Sequence, residues 1–201
     1  MNRLLFLSLL LIISSCKKEI TNNYELAITN ANVIHLETGH VEQQNIYISN
    51  GRIQAVTAID SVANIKADST IDATGKYVLP GFWDNHIHLR GGDSLIANNK
   101  NFLKLFIANG ITTVRDAGGD LTHAVMEWKH QSAEEDLIGP TIFTAGPKID
   151  GPSATWAGSL EVETEEDITE ALDSLEALNV DFVKIYDSRI SPENYLRTIQ
   201  E

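Results

Sequence analysis

Residues 77–88 read YVLPGFWDNHIH, and this stretch decides the fold. Its apolar first half predicts a buried strand, and its polar second half places His86 and His88 at the strand end. Side chains alternate between the two faces of a strand, so both imidazoles point the same way. Neutral imidazole nitrogens in this arrangement form half of a site for zinc or a similar divalent ion. On spacing alone, two polar residues that end a strand by chance explain the pair equally well.

Downstream of this stretch, strand and helix patterns alternate four times through residue 201. Three further strands are predicted at residues 111–114, 141–144 and 180–186. Thr164 and Ser191, followed by Pro192, are typical N-terminal caps of the last two helices. The alternation predicts an α/β domain with parallel strands, either an open doubly wound sheet or a barrel. No glycine-rich phosphate loop follows any strand, which argues against nucleotide binding.

Upstream, residues 24–76 carry β signals. The dipeptide Asn50-Gly51 lies between two alternating runs, residues 45–49 and 52–56, and predicts a tight hairpin. We therefore expect a small β domain ahead of the α/β domain.

The N-terminus has the features of an export signal. Arg3 precedes an apolar run over residues 4–13 that is short for a membrane-spanning helix. Ser14-Ser15-Cys16 resembles a bacterial lipobox, in which Cys16 becomes the lipidated first residue after removal of residues 1–15. Residues 16–23 would be a polar tether. We expect a protein anchored by lipid to the periplasmic or cell-surface side of a bacterial membrane; an ordinary secretory signal with a chance cysteine is the alternative.

Composition limits the possible partners. The 201 residues carry a formal net charge of -13, which disfavours nucleic acid. A hydrophobic content of 43% is enough for a packed core. Net charge gives no indication of the substrate.

Lys184 is a second candidate, because it lies in the middle of the apolar segment 180–186. Burial of an ammonium group without a partner is costly and lowers its pKa. The neutral amine reacts with carbon dioxide to form a carbamate, which is an anionic oxygen ligand for metals. A salt-bridged or snorkelling lysine is the simpler interpretation when Lys184 is considered alone.

Three stretches together resemble one family. Residues 71–88, residues 110–119 (GITTVRDAGG) and residues 180–185 (VDFVKI) are similar to motifs of the amidohydrolase superfamily, in its imidazolonepropionase-like branch. That branch includes Xaa-Pro dipeptidases and N-acyl amino-acid hydrolases. The resemblance implies that residues 77–201 form the first four β/α units of a TIM-type (β/α)8 barrel. It implies that residues 24–76 are part of a small β-sandwich.

The resemblance also implies a mechanism. His86 and His88 would bind the more buried of two metal ions, expected to be zinc, and Lys184 as its carbamate would bridge both ions. A bridging hydroxide would attack the amide carbonyl of a dipeptide or N-acyl amino acid. Family members take two more histidines and a catalytic aspartate from later strands. We therefore expect the protein to continue past Glu201, and the fragment alone to lack a catalytic base and be inactive.

Two alternatives remain open at this stage. His86, His88 and Arg90 also match the His-x-His-x-Arg pattern of dihydroorotase and hydantoinase relatives, which hydrolyse cyclic amides. In dihydroorotase the arginine contacts a substrate carboxylate, so Arg90 is a candidate for substrate binding. The other alternative is an inactive, truncated surface lipoprotein.

Overall fold

The computed structural model describes residues 23–60 and 66–201, which form two compact units divided between Pro80 and Gly81. The predicted signal sequence and lipidation site, including Cys16, lie outside the described residues. Within the described ranges, no helix combines the length and the apolar character needed to cross a membrane.

The first unit is a mixed β-sheet. Its described residues form β1 (Asn23–Ile34), β2 (Val41–Ser49), β3 (Arg52–Ala58), β4 (Lys66–Asp72) and β5 (Tyr77–Val78). The strand order is β3-β2-β1-β4, and β5 also pairs with β1. Neighbours β1, β2 and β3 are antiparallel, whereas β4 and β5 run parallel to β1.

The predicted hairpin between β2 and β3 is confirmed. Asn50 and Gly51 both have positive φ angles, 52° and 65°, and Ser49 pairs with Arg52 across the turn. Two successive left-handed residues give a turn whose twist matches that of the strands, and this explains the choice of asparagine and glycine.

The second unit combines parallel strands with helices. A three-stranded parallel sheet has the order β6-β7-β8, from β6 (Phe82–Ile87), β7 (Ile111–Asp116) and β8 (Thr141–Thr144). The helices are α1 (Ile96–Ala108), α2 (Thr122–Ala133), α3 (Glu165–Ala177) and α4 (Pro192–Gln200). Two short parallel strands, β9 (Ile149–Asp150) and β10 (Leu160–Glu161), follow β8. The mixed α/β class predicted from sequence is confirmed.

Two buried clusters hold this unit together. The first joins β7 and β8 to α1 and α2 through Val114, Ile142, Leu103, Val125 and Trp128. The second surrounds α3 and contains Ile149, Val162, Ile168, Ala171, Leu175 and Ile190. The caps predicted for α3 and α4 are confirmed, because the Thr164 and Ser191 side chains each accept a hydrogen bond from a backbone N–H in the first helical turn.

The fourth predicted strand departs from expectation. Residues 180–186 make only an isolated parallel bridge, between Ile185 and Ile149, so the main parallel sheet has three strands where four were predicted. Gly146, with φ of 62°, turns the chain between Thr144 and Ile149. The backbone that residues 180–186 lie against is therefore interrupted, and a continuous ladder cannot form.

Candidate metal centre

The two histidines of the opening stretch meet at the end of β6. His86 Nε2 and His88 Nε2 lie 3.2 Å apart, and both side chains are exposed. The His86 backbone N–H donates to Asp84 Oδ1 at 3.1 Å, which fixes the strand just ahead of the pair. The strand therefore brings the two nitrogens together as the alternation of side chains predicts.

A hydrogen bond fixes the protonation of His88. Its Nδ1 lies 2.7 Å from the carbonyl oxygen of Gly118. A carbonyl can only accept, so Nδ1 carries the proton, and in the neutral ring Nε2 is left with a lone pair. A histidine that ligates a metal through one nitrogen typically donates from the other in this way. The orientation of His88 is thus suited to binding a metal through Nε2.

The spacing of the pair also fits a metal ion. Two nitrogens that each bind a tetrahedral zinc ion at about 2.0–2.1 Å lie about 3.3 Å apart. The observed separation is 3.2 Å. Within the described part of the chain, no group of three or more histidine, cysteine, aspartate or glutamate side chains is arranged as a metal site. The pair alone therefore supplies two ligands.

Asp116 ties together the ends of the three parallel strands. It is 1% exposed, and it accepts hydrogen bonds from the Leu89 N–H at 3.0 Å and from the Thr144 hydroxyl at 2.8 Å. Burial raises the pKa of this carboxyl, and the two hydrogen bonds and the charges of His88 and Lys148 only partly offset that effect. Because Leu89 follows His88 directly, Asp116 helps to position the pair.

A buried lysine lies beside this centre. Lys148 is 3% exposed, and its ammonium nitrogen lies 5.3 Å from the centre of the Trp156 ring. The Arg90 guanidinium lies 4.4 Å from the same ring centre. Burial is the largest cause that lowers the pKa of Lys148, and the charge of Arg90 lowers it further.

A family model matches more than half of the chain. Residues 77–193, more than half of the 201, match the model of the amidohydrolase family. The chain belongs to the amidohydrolase family.

Curated relatives of this amidohydrolase include adenine deaminases. The chain is 30% identical over 90 residues to an adenine deaminase of Listeria innocua, a match that covers 45% of this chain and 14% of that protein. This chain therefore spans a small part of the length of such relatives.

Solved structures with a similar fold include dipeptidases. A prolidase candidate from Bifidobacterium longum superposes with a TM-score of 0.70 at 24% identity, over 81% of this chain and 40% of that one. A Xaa-Pro dipeptidase with bound methionine superposes with a TM-score of 0.67 at 21% identity, over 80% and 46%. At these identities the likeness concerns the fold.

Lys184 has a different environment from the histidine pair. Its side chain is half-buried, and its carbonyl accepts a hydrogen bond from the Ile149 N–H at 2.9 Å. The charge of Lys184 contributes to the lowered pKa of Lys148, so the two ammonium groups lie within electrostatic range of each other. Of these two lysines in the amidohydrolase, Lys148 is the more deeply buried.

Lys148, Trp156 and Asp116 were not among the site residues predicted from the sequence. A signal for Lys148 was present, because it lies four residues after the end of β8, on the side of the sheet where functional side chains of parallel α/β folds collect. Trp156 lies in a long connection without a strand or helix pattern. Its place beside Arg90 follows only from the tertiary structure.

Proposed function

We propose that this amidohydrolase hydrolyses a peptide-like or N-acyl amino-acid amide bond with the help of divalent metal ions. The observation that carries the proposal is the histidine pair, whose Nε2 atoms lie 3.2 Å apart while His88 Nδ1 is engaged by the Gly118 carbonyl. His86 and His88 would hold the first ion. A bound divalent ion supplies Lewis acidity at the carbonyl and a water nucleophile that is active near neutral pH.

A second ion and its bridging ligand are part of the proposal. Lys184, as its carbamate, would supply an oxygen to both ions, which we expect to be zinc. The position of Lys184 supports the assignment. Residues 180–186 follow the parallel sheet and hydrogen-bond to Ile149, and the charge of Lys184 contributes to the lowered pKa of Lys148.

The barrel is likewise proposed. Three parallel strands pack one face against α1 and α2, and large apolar side chains of the strands remain exposed, among them Phe82, Trp83 and Phe143. In a closed barrel, layers of side chains from the other strands cover such residues. This supports assigning the second unit to the first part of a TIM-type barrel.

Export and anchoring complete the proposal. We propose that Cys16 carries the lipid that attaches the protein to a bacterial membrane, on the evidence of the apolar run and Ser14-Ser15 ahead of it. Mass spectrometry of the mature N-terminus would find a lipid-modified Cys16. An unprocessed Met1, or cleavage at another residue with a free thiol, would refute the anchor.

The decisive experiment measures metal content and activity of the protein at its natural length. We expect bound zinc by atomic spectroscopy and hydrolysis of a panel of Xaa-Pro dipeptides and N-acyl amino acids. His86→Ala and His88→Ala should each lose metal and activity, whereas His123→Ala, on the exposed side of α2, should keep both. Metal-free wild-type protein, or equal metal in all four proteins, would show the proposal to be wrong.

Deamination is a second candidate, favoured by the adenine deaminase relatives. A cyclic-amide hydrolase is a third, favoured by Arg90 at the second position after His88. Adding adenine and a cyclic amide such as dihydroorotate to the panel separates these reactions. Ammonia release from adenine without dipeptide cleavage would select the deaminase.

A further inference from the structure

We propose that Arg115 is a positioning residue for His86, because its side chain holds a bulge in β6 that places the His86 imidazole beside that of His88. Arg115 belongs to β7, the strand that pairs with β6. This role rests on the proposed function, in which the histidine pair binds the first metal ion. It goes beyond that function by assigning control of the metal affinity to a residue outside the set of ligands.

The pairing of β6 with β7 is irregular just where the histidines begin. Two consecutive residues of β6, Asn85 and His86, lie opposite the single residue Arg115 of β7, because the register shifts between the pairs on either side. A bulge of this kind interrupts the ladder and changes the direction of side chains on the bulged strand, and bulges are common next to active sites. The direction of His86 therefore depends on what holds the bulge.

Two side chains bind the backbone of the bulged residues. The Nε–H of Arg115 donates to the Asn85 carbonyl oxygen at 2.8 Å, and the His86 N–H donates to Asp84 Oδ1 at 3.1 Å. Backbone groups that leave a regular ladder need such replacement partners. Asp84 is part of β6 itself, whereas Arg115 comes from the neighbouring strand. Arg115 therefore ties the bulge to the rest of the sheet.

The Arg115 side chain is itself held in place. Its neighbour Val114 is buried against α1 and α2, so Arg115 lies on the opposite face of the sheet. On that face its guanidinium carbon lies 5.3 Å from the centre of the Phe182 ring. Guanidinium groups stack favourably on aromatic rings. The contact with Phe182 keeps the guanidinium in one orientation, so that the Nε–H is aimed at the Asn85 carbonyl before any metal binds.

The same contact joins the two parts of the proposed metal centre. Phe182 lies two residues before Lys184, the proposed bridging ligand. Arg115 thus contacts both the strand that carries the histidines and the segment that carries Lys184.

His86 depends on its backbone more than His88 does. The Gly118 carbonyl accepts a hydrogen bond from the His88 ring. Among the described residues, the ring of His86 has a hydrogen-bonding contact only with His88 itself. The backbone at the bulge must therefore set the 3.2 Å separation of the two Nε2 atoms. Groups that orient metal ligands in this way typically change metal affinity by roughly 10- to 100-fold when they are removed.

The test compares two substitutions of similar length in the protein at its natural length. Arg115→Gln places an amide nitrogen where arginine has Nε and can still donate to the Asn85 carbonyl, whereas Arg115→Met places a methyl carbon there and cannot. We expect Arg115→Met to weaken zinc binding roughly 10- to 100-fold, measured by competition with a chromophoric chelator, and Arg115→Gln to recover most of that loss. Both variants lack the positive charge and the guanidinium, so a general effect of charge or packing would change both equally.

Hydrogen exchange of the metal-free proteins gives a measurement that is independent of zinc. The backbone N–H groups of residues 86–88 should exchange several-fold faster in Arg115→Met than in the wild type, and at close to the wild-type rate in Arg115→Gln. Arg197→Ala is the control, because it removes an arginine of α4 that pairs with Glu165 and Glu193, and it should change neither quantity. If Arg115→Met fails to fold, Phe182→Leu replaces it and should shift both quantities in the same direction by a smaller factor.

Three results would overturn the inference. They are a zinc affinity of Arg115→Met equal to that of a zinc-binding wild type, equal losses in Arg115→Met and Arg115→Gln, and exchange at residues 86–88 that is no faster in Arg115→Met than in Arg197→Ala. A wild type that binds no zinc, but in which Arg115→Met alone accelerates this exchange, would refute the proposed function and support the role of Arg115 in holding the bulge.

Discussion

Two buried aspartates, in two parts of the second unit, respond to burial in opposite ways. Asp116, at the end of β7, is 1% exposed, and burial raises its pKa. Asp150, in β9, is fully buried, yet its pKa lies below the usual value. Burial also acts to raise the pKa of Asp150, but hydrogen bonds from the Ser188 hydroxyl and three backbone N–H groups outweigh it.

The difference teaches that the cost of a buried carboxylate depends on the balance between its desolvation and the hydrogen bonds it receives. Asp116 receives two hydrogen bonds, and Asp150 receives four, from Gly151, Arg189, Ile190 and Ser188. Asp150 anchors the loop after residues 180–186 and stabilises the fold. Burial disfavours the ionised form of Asp116, at the position where this side chain holds the strand ends beside the histidine pair. A local cost in stability of this kind is typical of functional regions.

The largest effect is expected from Asp150→Ala. It removes an acceptor from three N–H groups and one hydroxyl, and the free energy of unfolding should fall by about 4 kcal/mol. Denaturant-induced unfolding measures this change. Asp173→Ala, at an exposed position of α3, is the control and should stay within about 0.5 kcal/mol of the wild type. Equal effects at the two positions would mean that the four bonds contribute nothing.

Asp116→Ala should destabilise less, by about 2 kcal/mol, because only the Leu89 N–H and the Thr144 hydroxyl lose their partner and removal of the charged group relieves part of the burial cost. The same unfolding measurement, made beside Asp150→Ala, checks the order. A loss greater than that of Asp150→Ala would contradict the role of donor number.

The pH dependence should separate the two aspartates by sign. The lowered pKa of Asp150 means that its contribution to stability is present above the usual value near 3.8 and is lost as the pH falls through the folded pKa. The raised pKa of Asp116 means that its contribution is fully present below 3.8 and is lost as the pH rises through the folded pKa.

We therefore expect Asp150→Asn to cost most at neutral pH and Asp116→Asn to cost most in acid. Unfolding free energies of both variants and the wild type, measured from neutral to acidic pH, give the two curves. Parallel curves would show that the two carboxyls do not differ in the way the structure indicates.

The smallest effect concerns a third carboxylate, Asp167, which is half-buried. Its pKa is lowered mainly by the Glu163 and Thr164 N–H groups, which outweigh the opposing effect of burial. The Thr164 hydroxyl accepts from the Asp167 N–H at 3.2 Å and completes the capping box of α3. Thr164→Ala should reduce stability by about 1 kcal/mol, measured by thermal or denaturant unfolding, and Thr164→Ser should restore it. No change in Thr164→Ala would mean that solvent replaces the cap.

Local features of this protein were readable from the sequence. The Asn50-Gly51 turn, the Thr164 cap and Pro192 at the start of α4 follow from preferences of the residues concerned and of their immediate neighbours. His86 and His88 share a face because a strand alternates, which requires no knowledge of the rest of the fold. The family motifs around them are equally contiguous in the chain.

Contacts between distant segments were decided only by the tertiary structure. Asp116 reaches Leu89, 27 residues away, and three of the four Asp150 bonds span 38 to 40 residues. Lys148 and Arg90 come together at the Trp156 ring, and residues 180–186 lose their regular strand because Gly146 interrupts the neighbouring backbone. Burial and desolvation depend on what packs around a group. The sequence therefore determined the histidine pair and its strand, and only packing decided which aspartate is stabilised and which lysine is buried.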